Sequence, residues 1–226
     1  MNATDHGGAE SWPAGGECPI RQDRPVTCAA FVAMREWLGV SHKRFCGVLE
    51  IGPATWAAIR RSGASGERAF KGGPPLVAAP YALIARWITM GGDVWVPPLA
   101  RVDPADVHAA LRRVLGAQAP SGRMFALALG RDAGAAHAWL RRDQPGGTNG
   151  AVCLAATMLL RGQQTLLPGR WKSWWAMALR EARLRGISSL AHAGSWRVAD
   201  RVVVPAGRWS IRLQELSQRG SDYPAS

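Results

Sequence analysis

The chain has few cysteines, few lysines and no long apolar run, and each shortage excludes a class of protein. Its four cysteines follow no paired spacing, which argues against a disulfide-rich scaffold and favours buried, reduced thiols. The longest apolar run, AVCLAATMLL at 151–160, is far shorter than the ~20 residues that span a bilayer. The first residues lack the positive start and apolar stretch of a signal peptide. We therefore expect a cytoplasmic protein with no membrane contact.

Sequence motifs of catalysis are also missing. The five histidines are not spaced as metal ligands, and no HxxxH, GxSxG or Walker-type phosphate loop occurs. The segments GGPP and PGGTNG are rich in glycine but have no strand–loop–helix context. Asp103 and Asp106 are explained as acids at the start of a helix. The sequence therefore predicts no enzyme, no cofactor and no bound metal.

Positive charge is what the chain has in excess. It carries 28 basic and 16 acidic residues, a formal net charge of +12 at pH 7. Such a charge favours a phosphate-rich or otherwise acidic partner. Only three basic residues are lysines, however, and the chain is rich in alanine, glycine, proline and arginine, as codon usage in a GC-rich genome produces. Both explanations of the charge stand at this point.

Helical spacing of apolar residues runs through most of the chain. Thr27, Ser41 and Asp103 are placed as N-caps, while Pro53 and Pro104 suit the first turn of a helix. These signals predict helices over 27–39, 41–50, 53–63, 76–88, 104–117 and 149–160. A further amphipathic helix covers 171–185, with three tryptophans on its apolar face and Arg180, Arg183 and Arg185 on the other.

The end of the chain changes character. The segments RVVV (201–204) and RWSIRL (208–213), separated by PAG, are typical of a small β-hairpin. A helix over 211–218 competes with that interpretation. The predicted fold class is therefore all-α, with a C-terminal amphipathic helix and at most a small hairpin.

An internal repeat relates two parts of the chain by a shift of 80 residues. Phe45 matches Phe125, Leu49 matches Leu129, and a helix precedes each copy while a glycine-rich loop and an apolar helix follow it. The literal identity between the copies is slight. We therefore divide the chain into a flexible tail (1–24), a first unit (25–92), a second unit (93–162) and a Trp/Arg-rich extension (163–226).

Both copies resemble the lambda-repressor-like, or Cro/C1-type, helix-turn-helix family. The pattern is a small residue in the second helix, Leu three positions later, an apolar residue at the turn, and a polar–apolar–x–x–apolar third helix with a basic end. In the first copy these positions hold Cys46, Leu49, Ile51, Thr55, Trp56, Ile59, Arg61 and Gly63. In the second copy they hold Ala126, Leu129, Ala135, Ala136, Trp139 and Arg141. The resemblance implies that the third helix of each unit enters a major groove of DNA.

The copies depart from the family pattern at the turn and on the outward face of the third helix, which would contact the DNA bases. Glu50 stands where the family usually has glycine, whereas the second copy has the expected Gly130. The outward face of the first copy's third helix is mostly alanine, so the basic residues favour phosphate contact over base recognition. Cations at a helix end that only complement the helix dipole are the competing explanation. The candidate DNA-binding residues are Lys43, Arg44, Thr55, Arg60, Arg61, Lys71, Arg123, His137, Arg141 and Arg142.

The sequence thus favours a DNA-binding transcriptional regulator of a bacterium or mobile element, with double-stranded DNA as partner and a homodimer as its assembly. The alternative is a protein-interaction module, such as a plasmid-transfer accessory protein or an antiactivator, whose helix-turn-helix units are degenerate. Such a module would bind a protein partner through the Trp-rich helix at 171–185. The tryptophans at 171–175 are nevertheless expected mainly in the core or in an oligomer interface.

Overall fold

The computed structural model describes residues 17–65, 73–90, 102–140, 150–161, 164–198 and 202–204. These residues form ten α-helices, two short 3₁₀ turns and two very short strands. The helices are α1 (Cys28–Trp37), α2 (His42–Leu49), α3 (Pro53–Ala64), α4 (Ala79–Thr89), α5 (Pro104–Leu115), α6 (Gly122–Ala128), α7 (Ala135–Leu140), α8 (Gly150–Leu160), α9 (Leu167–Leu184) and α10 (Leu190–Ala193). The prediction of an all-α fold is confirmed.

Side-chain caps start the helices where the sequence placed them. Thr27, Ser41 and Asp103 each accept a hydrogen bond from a backbone N–H in the first turn of α1, α2 and α5. Ser121 caps α6 in the same way, and it lies 80 residues after Ser41. The two second helices of the repeat therefore begin with the same capping hydroxyl.

The β-structure differs from the predicted hairpin. Val203–Val204 (β2) pairs in parallel with Leu76–Val77 (β1), which the sequence had assigned to the start of a helix. The helix instead begins at Ala79, because Pro80 is compatible with a first turn. Parallel pairing brings residues 203–204 next to the segment that precedes α4. The predicted hairpin partner at 208–213 and the competing helix at 211–218 lie outside the described residues.

Helices α4 and α8 are the centre of the core. Every residue from Ala79 to Ile88 is buried, and so is every residue of α8 up to Leu159 except Cys153. A helix that is buried on all sides must be covered by other helices. One hydrophobic cluster accordingly runs through α1–α4 (the first unit), α5–α8 (the second unit) and α9.

The two units contact each other reciprocally at equivalent positions. Glu50 and Gly130 both have positive φ, at 55° and 80°, and each ends the second helix of its unit. A Cβ on Gly130 would lie 2.4 Å from the backbone nitrogen of Pro80, at the start of α4. A Cβ on Gly150, which starts α8, would lie 2.0 Å from Glu50 Oε2. Each turn therefore abuts the start of the other unit's fourth helix, as in a dimer with a two-fold axis.

Helix α9 packs across both units, and its exposed face carries two of the three arginines that the sequence predicted there. Trp174 is fully buried, donates from Nε1 to the carbonyl of Ala128 at 2.8 Å, and packs on Trp87 with ring centroids 5.0 Å apart. Arg180 and Arg183 are exposed as expected. Arg185 is not: it is buried, because it joins an ion pair within the core.

A buried ion-pair triad links α4 to α9. Arg86 Nε lies 2.6 Å from Glu181 Oε2, and Arg185 Nε lies 2.8 Å from Glu181 Oε1. All three side chains are 0–1% exposed. Arg185 also donates to the carbonyl of Val77 at 3.0 Å. Each charge is thus removed from water but compensated by hydrogen bonds.

The same triad holds the segment before α1. Arg86 Nη1 donates to the carbonyl of Arg21 at 3.1 Å, and its Nη2 donates to the carbonyl of Arg24. Ile20 is buried in the core, and the backbone N–H of Val26 donates to Glu181 Oε1. Residues 17–24, assigned to the flexible tail from sequence, therefore pack against the core; residues 1–16 lie outside the described residues.

Glu181→Gln should lower the free energy of unfolding by about 3–5 kcal/mol, because two buried guanidinium groups lose their shared counter-charge. Urea unfolding followed by circular dichroism measures this loss. Glu36→Gln is the control: Glu36 pairs with Arg35 at 2.9 Å on the surface, so its loss should cost less than about 1 kcal/mol. Similar losses for both variants would contradict a structural role of the triad.

Gly130→Ala should destabilise the protein by at least about 2 kcal/mol, because the new methyl group would meet backbone atoms of α4 at a left-handed φ. Gly134→Ala is the matched control, since a Cβ there has open space around it. Thermal unfolding of both variants checks the difference. Equal melting temperatures would show that the units do not meet at Gly130.

Candidate nucleic-acid interface

Buried aromatic and aliphatic side chains hold the α2–α3 pair of the first unit. Phe45, Leu49, Trp56 and Ile59 are buried, and the ring of Phe45 lies 5.5 Å from those of both Phe31 and Trp56. These contacts fix the inner faces of both helices, so the opposite faces are turned outward. Trp56 is therefore a core residue.

The turn between α2 and α3 is made without glycine at its tightest point. Glu50 adopts the left-handed conformation that ends α2, and its backbone N–H bonds to the carbonyls of Cys46 and Gly47. Such a φ is unfavourable for a side chain with a Cβ. The Glu50 side chain is buried and lies at the start of α8. A carboxylate is favourable there, since the N-terminus of a helix carries partial positive charge.

Basic side chains flank the outer surface of this helix pair. Lys43 and Arg44 are exposed in the first turn of α2, and Arg60 and Arg61 are exposed towards the end of α3. Thr55, in the first turn of α3, is half-buried. The exposed surface between these cations is provided largely by Pro53 and Ala54 together with the half-buried alanines that follow them. The first unit therefore offers cations for phosphate and few donors for base edges.

Helices α1 and α3 cross closely and leave a groove beside the arginines. A Cβ on Gly63 would lie 3.1 Å from the backbone nitrogen of Ala29, so only a very small residue fits at the crossing. The groove has a volume of about 620 Å³ and is lined mainly by small side chains, with Glu36, Arg60 and Arg61 as its charged members. The groove thus places Arg60 and Arg61 on a surface shared by α1 and α3.

The second unit repeats the helix pair with its charges placed differently: residues 41–62 and 121–142 each contain four basic residues and one acidic residue. Phe125, Leu129 and Ala136 are buried at positions equivalent to Phe45, Leu49 and Trp56. Arg123 and His137 are exposed. Asp132 is also exposed and stands where the first unit has Gly52. An acid beside the start of the third helix opposes a phosphate at that position.

Residues 191–197, the segment that includes the end of α10, lie across the start of α7. The carbonyl of Gly194 accepts from the backbone N–H of Ala133 at 2.8 Å. Asp132 Oδ1 accepts from Ser195 Oγ at 2.8 Å and from the backbone N–H of Trp196 at 3.1 Å. Arg123 Nη2 donates to the carbonyl of Ala191 at 3.4 Å. The 191–197 segment therefore contacts both α6 and α7 at their N-terminal ends.

The sequence reasoning did not identify this segment. Its contacts are almost all long-range and use backbone groups, which leave no periodic pattern in the sequence. Asp132 is the single local signal, because an acid is unexpected at the DNA-facing start of a third helix. Of the other predicted site residues, Lys71, Arg141 and Arg142 lie outside the described residues.

Most of the aromatic surface of the Trp-rich helix α9 is buried. Trp171 and Trp174 are buried, and Trp175 is half-buried with its ring stacked on Trp171 at 6.1 Å and 9°. Their expected place in the core is confirmed for Trp171 and Trp174. Trp175 remains as the partly exposed tryptophan on this part of α9.

The thiols of the described residues are free, and two of them have a raised pKa. All four cysteines are free thiols, and burial raises the pKa of Cys28 to about 12 and that of Cys46 to about 11. Such thiols are poor nucleophiles. Within the described ranges no group of three His, Cys, Asp or Glu side chains is placed to hold a metal, and no helix there is long and apolar enough to cross a membrane.

No protein-family model matches the chain, and comparisons with curated proteins and with solved structures find no significant match. The geometry and charge of the two units are therefore the basis on which a function is assigned.

Proposed function

We propose that the protein binds duplex DNA through the α2–α3 pair of its first unit and acts as a transcriptional regulator. The observation that carries this proposal is the outward placement of Lys43, Arg44, Arg60 and Arg61 on a helix pair whose inner face is fixed by buried aromatic rings. Cations at the two ends of the pair would contact phosphates while α3 enters the major groove. The net charge of +12 supports the same partner.

Binding of this kind depends more on charge and DNA shape than on base contacts. Thr55 is the one residue of the first turn of α3 that combines a side-chain hydroxyl with partial exposure, and a single hydroxyl distinguishes bases weakly. Phosphate contacts give affinity without sequence information. We therefore expect modest preference for particular sequences, assisted by groove width and deformability.

Selection of bound duplexes from a random pool at about 0.15 M salt tests the proposal. A regulator should retain duplexes and enrich a short motif, and retention without enrichment would indicate an architectural role in DNA binding. The protein-interaction alternative predicts no retention at all. That last outcome would overturn the proposal.

Arg60→Ala combined with Arg61→Ala should weaken duplex binding by roughly tenfold or more and reduce the salt dependence, because each lost phosphate contact removes about 0.9 from the slope of log K against log salt. Fluorescence anisotropy between about 0.05 and 0.2 M salt measures both effects.

The control for this pair is Arg112→Ala combined with Arg113→Ala. These arginines are also adjacent, exposed and in the last turn of a helix, so the change in net charge is the same. They lie on the first helix of the second unit and should leave the slope almost unchanged. Equal effects of the two double variants would show that net charge, and not the α2–α3 surface, drives binding.

A further inference from the structure

We propose that each chain carries a single DNA-binding end, and that the 191–197 segment closes the equivalent end of the second unit. The inference rests on the proposed function and specifies it, because it assigns DNA contact to one of two repeated units. The comparison between the units is direct, since a shift of 80 residues relates Lys43 to Arg123 and Gly52 to Asp132.

The first argument is that the 191–197 segment already occupies the N-terminal ends of the second unit's helix pair. In a helix-turn-helix unit the N-terminal ends of the second and third helices approach the DNA backbone. In the second unit, the N–H of Ala133 is already bonded to the carbonyl of Gly194, and Arg123 lies against the 191–197 segment. A Cβ on Gly194 would come within 2.7 Å of Arg123 Nη2. A phosphate at this place would have to displace protein backbone.

The second argument is that the 191–197 segment binds the side chain of Asp132. Asp132 sits at the start of the second unit's recognition helix, where the first unit has Gly52. Its carboxylate accepts hydrogen bonds from Ser195 and from the backbone of Trp196. The equivalent end of the first unit instead carries Lys43 and Arg44, both exposed. Arg197 Nε also lies 4.0 Å from Asp132 Oδ2, so the carboxylate at the start of this helix is paired with the 191–197 segment, whereas Gly52 has no side chain to form such contacts.

The third argument is anchoring of the 191–197 segment. Trp196 is buried and donates from Nε1 to the carbonyl of Leu127 at 2.9 Å. The guanidinium carbon of Arg185 lies 5.7 Å from the centroid of the Trp196 ring, which connects the segment to the buried triad. A segment fixed to the core in this way does not yield easily to an incoming phosphate. The second unit thus contributes its fourth helix to the core and leaves DNA contact to the first.

The test compares Lys43→Ala with Arg123→Ala, which are the same change at equivalent positions. Lys43→Ala should weaken duplex binding by about 3- to 10-fold at about 0.1 M salt, in line with one lost phosphate contact. Arg123→Ala should change the affinity less than 2-fold. Fluorescence anisotropy with one duplex and one salt concentration gives both values.

A second measurement does not depend on how well these variants fold. A photo-crosslinking residue, p-benzoylphenylalanine, replaces either Ala54 or Gly134, which are exposed and 80 residues apart. Irradiation of the complex should crosslink DNA from position 54 and give no crosslink from position 134.

The possible outcomes separate this inference from the proposed function. Equal weakening by Lys43→Ala and Arg123→Ala, or a crosslink from position 134, would overturn the single-end inference while duplex binding stands. If the unsubstituted protein binds no duplex, the proposed function fails and this inference fails with it. An effect confined to Lys43→Ala, with a crosslink from position 54 alone, supports both.

Discussion

The buried triad of Arg86, Glu181 and Arg185 is the interaction on which the described structure depends most. Three charges without water are tolerable only while each keeps its partners, so the triad fixes the elements that supply them. Those elements are α4 of the first unit, α9, the strand at Leu76–Val77 and the segment before α1. Helix α9 of the C-terminal extension is therefore a part of the core that both units share.

The arrangement of the two units follows from a second constraint, the burial of two apolar helices. Neither α4 nor α8 has a polar face, so each needs the other unit as cover. The reciprocal contacts of Gly130 with α4 and of Glu50 with α8 keep the units in register. Reciprocal contacts of this kind relate the two subunits of a symmetric homodimer, and here they relate the two units of one chain.

The same packing gives the two units different surfaces. The first unit keeps cations at both ends of its helix pair, and the second unit has Asp132 and the 191–197 segment at the corresponding place. Equivalent positions of the two units are both buried, as Phe45 and Phe125 show, while the exposed residues differ. Under the proposed function, DNA phosphates would contact the first unit, while the second unit contributes to the shared core.

The sequence by itself determined the helices, because caps such as Thr27 and Ser41 and the spacing of apolar residues act locally. It also predicted the 80-residue repeat, and the cations that it singled out at Lys43, Arg44, Arg60 and Arg61 are exposed. Only the tertiary structure decided that Arg185 is buried, that Val203 pairs with Leu76 and that the end of the second unit is covered. The contact of Arg185 with the Val77 carbonyl, the pairing of Val203 with Leu76 and the contact of Gly194 with Ala133 join residues far apart in the chain, and such contacts leave no periodicity from which they could be inferred.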